Sequence, residues 1–239
     1  YQAADVVTLR SSWTDADALY VGFKGGDNQA NHSHLDLGTF VLDALGQRWA
    51  IELGPDDYNL PGYFGAQRYT YYRLATEGQN TLLIGGTNQD EDVAAPITAF
   101  ETSSTQVFAI ADLSQAYAPV GATSVRRGVA LLDGRDRVLI RDEITLSSSH
   151  DVRWAMHTRA DIVTSSQSAT LTQEGETVEL RLLSPASGAF TWQDISLPAP
   201  QKPTDGIRRL DVELPASSGS LSITVLVIPA ELVALIVPP

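Results

Sequence analysis

The 239 residues contain no cysteine. Disulfides and thiolate metal sites are therefore excluded, and cysteine usage gives no reading of redox compartment. No apolar run approaches the ~20 residues needed to span a bilayer. The most apolar stretch, residues 221–237, is interrupted by Pro229 and Glu231 and reads as a buried strand followed by a short tail. Basic residues are scarce: 16 Lys and Arg stand against 29 Asp and Glu, a formal net charge of −13. This argues against nucleic acid as a partner, because phosphate binding needs a basic face. It equally argues against broad electrostatic capture of any polyanion. An acidic sugar would have to be held by a few local cations inside a cleft. The plain reading of the acidity is solubility. The N-terminus, Tyr1-Gln2-Ala3-Ala4-Asp5, has no basic region followed by an apolar stretch and no initiator Met. The expectation is therefore a stretch without a signal peptide, a piece cut from a longer chain, of unread localisation.

Strand signals fill the rest. Residues 18–24, 38–45, 48–53, 106–111, 124–132, 137–146, 152–158, 169–172, 177–183, 207–214 and 221–228 are short, β-branched or aromatic runs bounded by turn residues. Asp133-Gly134 between two apolar runs predicts a hairpin. No segment sustains a helical period, and no internal repeat is visible. The Pro-rich stretch 197–203 is a loop, since strands resume directly after it. The predicted fold is all-β, a large antiparallel β-sandwich of two or more stacked sheets, with residues 1–239 as one domain.

The chemistry concentrates in Asn31-His32-Ser33-His34-Leu35-Asp36-Leu37-Gly38. On a strand, His32, His34 and Asp36 would share one face and Ser33, Leu35 and Leu37 the other. The leucines want the core, so the polar side must face a cleft or find partners. Two imidazoles so placed make a metal or proton-transfer site, or a structural hydrogen-bonding pair. A cupin-type metal site would need a Glu a few residues on, and none follows. Tyr58, Tyr63, Tyr69, Tyr71 and Tyr72 crowd the next region, flanked by Arg68 and Arg73. Phenols pack against sugar rings and move protons, and an Arg grips a carboxylate bidentately. The same tyrosines would also serve as a half-buried strand, with Tyr69 and Tyr71 on one face and Tyr72 on the other. His157 reads as a structural hydrogen-bonding residue and His150 as loop surface.

Read in order, Asp17-Ala18-Leu19-Tyr20-Val21-Gly22-Phe23-Lys24, the His-x-His stretch, Trp49-Ala50-Ile51-Glu52-Leu53-Gly54, Tyr69-Thr70-Tyr71-Tyr72-Arg73 and Gly78-Gln79-Asn80-Thr81-Leu82 resemble the sheet domain of heparinase II/III-like polysaccharide lyases. The run 31–83, with Asp57-Tyr58-Asn59-Leu60-Pro61-Gly62-Tyr63, is most similar to the oligoalginate lyases. The resemblance is dense over roughly residues 9–86 and architectural beyond. An ordered series of motifs is more specific than any one of them.

The resemblance implies cleavage of an acidic oligosaccharide or polysaccharide by β-elimination. It places His32 in catalysis; the chemistry of the residues themselves adds Tyr69 there and puts Asn31, Tyr63, Arg68 and Arg73 in substrate binding. The resemblance implies a structural zinc held by His34, by Glu52 where the family commonly has Asp, and by position 79. That third position is normally His; here it is Gln79, a neutral and poor zinc ligand. Three outcomes follow: weakened zinc binding, a His34–Glu52–Gln79 hydrogen-bond network in place of the metal, or a different ion. Relatives also carry an N-terminal α/α-barrel that supplies a catalytic His and Tyr, and no helical segment here would form it. The chain alone is therefore expected to show little or no activity. A non-catalytic carbohydrate-binding module and a docking domain are the competing readings.

Overall fold

The computed structural model describes residues 4–230. Period-2 burial makes the strands. In Val107–Asp112, for example, Val107, Ala109 and Ala111 are buried while Phe108, Ile110 and Asp112 are half-buried. The strands build two main antiparallel sheets. The smaller runs, in order, Val6–Arg10, Tyr20–Lys24, Phe40–Ala44 and Gln47–Ala50. The ten-stranded sheet runs Asp161–Ser165, Ser168–Gln173, Glu176–Ser184, Arg208–Pro229, Arg137–Thr158, Ala122–Leu132, Val107–Asp112 and Ile97–Thr102. Phe190–Asp194 pairs beside Arg208–Pro229, and Leu82–Ile84 beside Arg137–Thr158. A single large core joins the sheets. Phe23, Phe40 and Trp49 from the smaller one meet Ile140, Trp154 and Val225 from the larger, with Phe40 stacked on Trp154 at 6.1 Å. The all-β antiparallel sandwich expected from the sequence is the fold observed. No helix of the described residues is long and apolar enough to cross a membrane.

The Asp133-Gly134 hairpin is present, closed by the Leu132–Arg137 pair. Two pairs of predicted strands are in fact single strands of 22 residues each, Arg137–Thr158 and Arg208–Pro229. Their breaks at Ser147-Ser148-Ser149 and Pro215-Ala216 coincide in the ladder as register shifts between Leu146, His150 and Val152. Residues that would normally turn a chain are absorbed as a bulge in both partners. His150 consequently sits within a strand, bonded to Ser148 Oγ at 3.0 Å, rather than in a loop. Three of the strands that escaped the sequence reading lie at sheet ends, where burial is one-sided: Val6–Arg10, Ile97–Thr102 and Asp161–Ser165; the short Gly26–Asp27, Leu82–Ile84, Ala94–Ala95 and Phe190–Asp194 escaped it as well. Of the predicted C-terminal tail, residues 231–237 lie outside the described residues.

The core holds a fully buried ion pair. Arg127 and Asp142 face each other across neighbouring strands, both side chains fully buried. Nε and Nη2 of Arg127 donate to the two carboxylate oxygens at 2.7 and 2.9 Å. Its Nη1 donates to Gly38 O at 3.0 Å and Asn80 O at 2.9 Å. Those two carbonyls belong to the loops that carry the candidate site.

Candidate functional site

Residues 31–38 do not form a strand. They run as consecutive turns, because His32 takes a left-handed φ of 62° and Gly38 one of 80°. A strand needs negative φ throughout, so the alternation expected from the sequence is broken at its first histidine. The polar side chains still gather. His32, His34 and Asp36 all line one open trough of about 920 Å³, while Leu35 and Leu37 are buried. The left-handed turn at a non-glycine residue costs about 1 kcal/mol or more. It lifts the His32 ring out of the protein. That ring makes no hydrogen bond or ion pair among the described residues. It rests on Tyr58, stacked at 5.9 Å, and against the edge of Phe64 at 5.5 Å. Phe64 went unnoticed in the sequence; the signal was an aromatic residue between Gly62 and Gly65, where turn geometry keeps it exposed, here at 60%.

The turn at residues 30–33 separates the trough from a second cavity of about 420 Å³, and His32 and Asn31 line both. Arg68 and Tyr69 line the second one. They come from a 3-10 turn, Arg68–Thr70, and not from the predicted tyrosine-rich strand. Arg68 donates to Ser33 O through Nε and Nη2, at 3.2 and 2.7 Å, and to Tyr63 O through Nη1 at 3.2 Å. It makes no ion pair among the described residues, and Glu91 and Asp92 line the same cavity. Ser33 spends its proton on Asn28 O, so the Tyr69 hydroxyl donates to Ser33 Oγ at 3.1 Å. The structure thus brings His32, Asn31, Arg68 and Tyr69 to one cavity.

Two other predicted contacts lie elsewhere. Tyr63 is only 2% exposed and packs with Leu60 and Leu74 under the Arg68 guanidinium. Burial raises its phenol above the ordinary range. Arg73 is buried too, donating to Leu53 O and to Pro203 O beside Asp56. Both hold the loop and neither lines the two cavities. They were misplaced because a turn-rich segment has no face periodicity to separate inside from outside.

Of the expected metal ligands, His34 and Glu52 line the trough and Gln79 does not. His34 Nδ1 lies 3.7 Å from Glu52 Oε1, and both line the trough. Gln79 is fully buried, donates Nε2 to Arg73 O at 2.7 Å and leaves Oε1 without a hydrogen-bond partner. Among the described residues no three His, Cys, Asp or Glu side chains gather as a metal site. A structural zinc takes four ligands, usually charged or imidazole, and the donor set here falls short of that. Lys24 pairs instead with Asp36, whose carboxyl is pushed up by burial and drawn back by the lysine.

The Gln79-Asn80-Thr81 motif works as a clamp. Thr81 Oγ1 donates to Leu37 O at 2.8 Å, and Asn80 Nδ2 to Phe40 O and Ile51 O at 2.8 and 2.9 Å. Asn80 Oδ1 must then accept, from His157 N at 2.7 Å and from His157 Nδ1 at 3.1 Å. This fixes the His157 tautomer: Nε2 carries no proton and accepts from the Tyr72 hydroxyl at 2.8 Å. The Tyr72 oxygen accepts from Arg209 Nη1 at 3.2 Å. Burial, with Arg209 and Arg153 adding repulsion, drives His157 down to about 3 from 6.5; burial drives Tyr72 up to about 12 against the pull of Arg209. His157 therefore plays the structural part expected of it.

A stability consequence follows. The folded histidine has the lower pKa, so only the unfolded chain takes up this proton between pH 6.5 and about 3. Its contribution is fully present above pH 6.5 and is lost as pH falls, by up to about 1.4 kcal/mol per pH unit. Urea unfolding at pH 7 and pH 5 should show a steeper loss for the native chain than for H157Q. Equal slopes would contradict the neutral buried imidazole.

Comparisons with known proteins agree with this architecture. The family model described as "Heparinase II/III-like, C-terminal" matches residues 9–221. A search of curated proteins finds no match. Among solved structures, heparan sulfate lyase HepC from Pedobacter heparinus shares 16% identity at a TM-score of 0.79, covering 95% of this chain and 35% of that one. A heparinase III structure shares 15% identity at a TM-score of 0.77, over 95% of this chain and 36% of that one. At such identities the likeness is one of fold, and the chain spans about a third of the length of either structure. With a family model matched over most of its length and a sandwich of the same build, this chain belongs to the heparinase II/III-like C-terminal domain family of polysaccharide lyases.

Proposed function

We propose that this domain is one wall of the active cleft of a lyase that cleaves an alginate-like polyuronate by β-elimination. One observation carries the reading: His32 stands exposed on a strained turn between two cavities, with Tyr69 and Arg68, which makes no ion pair among the described residues, in the second. In β-elimination the uronate carboxylate is first neutralised, which acidifies the proton on the adjacent ring carbon. A base removes that proton, its electron pair forms the ring double bond, and the glycosidic C–O bond breaks as an acid protonates the departing oxygen. His32 is assigned to neutralising the carboxylate or moving the proton, and Tyr69 to proton transfer at the leaving oxygen. The Tyr69 proton points to Ser33 at rest, so a rotation of the hydroxyl would deliver it. Arg68 and Asn31 hold the carboxylate. The overall charge of −13 leaves such local cations as the means of holding a polyanion. The opposite wall, with its own catalytic groups, is assigned to an N-terminal α/α-barrel of the same protein. The alginate assignment rests on the resemblance of residues 31–83.

The test is an unsaturated-uronate absorbance assay. The isolated chain should give little or no turnover, and the chain joined to its barrel should turn over alginate faster than heparan sulfate. Robust turnover by the isolated chain would remove the need for the barrel. A preference for heparan sulfate would remove the alginate assignment.

A further inference from the structure

The trough is floored by the outer face of the four-stranded sheet. Arg10 and Tyr20 are cross-strand partners, as are Thr8 with Gly22 and Val6 with Lys24. All six therefore face the same way, and Val6, Tyr20, Gly22 and Lys24 line the trough. Lys24 sits beside the His34 end through its pairing with Asp36. Tyr20 lies four residues along the same strand, about 13 Å away. Gly22, between them, keeps the floor low: a Cβ there would come within 2.9 Å of Val41.

Past the Tyr20 end, next to but not among the residues that line the trough, stands Arg10, a cation without an ion pair. The Arg10 guanidinium lies 5.6 Å from the Tyr20 ring and 5.8 Å from the Trp13 ring. Its Nη2 donates to Asp15 O at 3.1 Å, and its Nε has no hydrogen-bond partner. No carboxylate pairs with it among the described residues. Asp43, opposite Tyr20 in the sheet, is already held bidentately by Arg48 at 2.6 and 2.9 Å. Arg135 Nη1 donates to Arg10 O at 3.1 Å, which ties down the end of the strand. Trp13 is 71% exposed, the most exposed large apolar side chain described.

We propose that Arg10, Trp13 and Tyr20 form a distal subsite for an acidic sugar residue of the oligosaccharide whose reacting bond lies at His32. The inference rests on reading the trough as a sugar cleft. Arg10 takes the anionic group, a carboxylate or a sulfate ester, and the two aromatic rings stabilise the guanidinium and offer a face to the sugar ring. Lys24 and Tyr20 alone stand about 13 Å apart along the strand, so the subsite calls for a longer oligomer than a disaccharide.

Calorimetric titration of the full chain tests this with four ligands: an unsulfated uronate disaccharide, the matching tetrasaccharide, a sulfated tetrasaccharide and a neutral tetrasaccharide. The acidic tetrasaccharides should bind more tightly than the disaccharide. R10Q should weaken tetrasaccharide binding about tenfold and leave disaccharide binding unchanged. R10K should recover part of the loss, and W13A should weaken tetrasaccharide binding while quenching the ligand-induced change in tryptophan fluorescence. Unchanged melting curves exclude unfolding as the cause. The unsulfated and sulfated ligands tell carboxylate from sulfate recognition. If R10Q and W13A bind the tetrasaccharide as the native chain does, while H32A weakens every acidic ligand, the distal subsite falls and the cleft reading stands. If R10Q loses binding and H32A changes nothing, the subsite stands and the assignment of His32 falls. Equal binding of the neutral tetrasaccharide overturns the role of Arg10.

Discussion

In the complete lyase, H32A should lower the rate of β-elimination by about a hundredfold to ten-thousandfold, the usual worth of a positioned acid–base group. The fold should survive, because the ring is exposed and touches only Tyr58 and Phe64 among aromatic neighbours. H32N separates chemistry from backbone strain, since asparagine tolerates the left-handed conformation. Both variants should therefore melt like the native protein and both should be slow. Initial rates of unsaturated-uronate formation, taken with thermal melts, check this. Native rates in H32A would remove the histidine from the reaction and with it the proposed mechanism.

R127M should be the most destabilising single change in the core. It leaves Asp142 as a fully buried carboxylate without its partner, and orphans the carbonyls of Gly38 and Asn80. Breaking a buried pair from one side costs about 3–5 kcal/mol. The double variant R127M/D142L should recover much of that, because the uncompensated charge is gone while volume is roughly kept. Urea denaturation midpoints measure both. A loss below about 1 kcal/mol in R127M would mean that solvent reaches the pair.

The strands were legible wherever burial was alternate and two-sided, and the Asp133-Gly134 turn announced its hairpin. The His-x-His stretch was legible as a polar cluster set against buried leucines, and its side chains do line the trough. Its conformation was not: one left-handed residue, His32, turns a plausible strand into a series of turns, and single-residue φ leaves no periodic trace. Arg68 and Arg73 look alike in sequence, five residues apart in a polar loop. One lines a cavity and the other is buried against Leu53 O and Pro203 O. Only long-range contacts decide between them. Arg127 was hidden by its neighbour Arg126, since two adjacent arginines on a strand point to opposite faces, one to solvent and one inward.

The hydrogen bonds around Asn80 have a direction. Arg209 gives to Tyr72, Tyr72 to His157, His157 to Asn80, and Asn80 to Phe40 O and Ile51 O. Each member has its proton fixed by the one before it, so no link can be reversed without stranding a donor somewhere along the line. The site-bearing loop is thereby keyed to the large sheet in a single seating, like a ratchet that engages one way. A slipped or rotated loop meets a mismatch at every step, and His32 inherits its position from a sequence of interactions that never touches it.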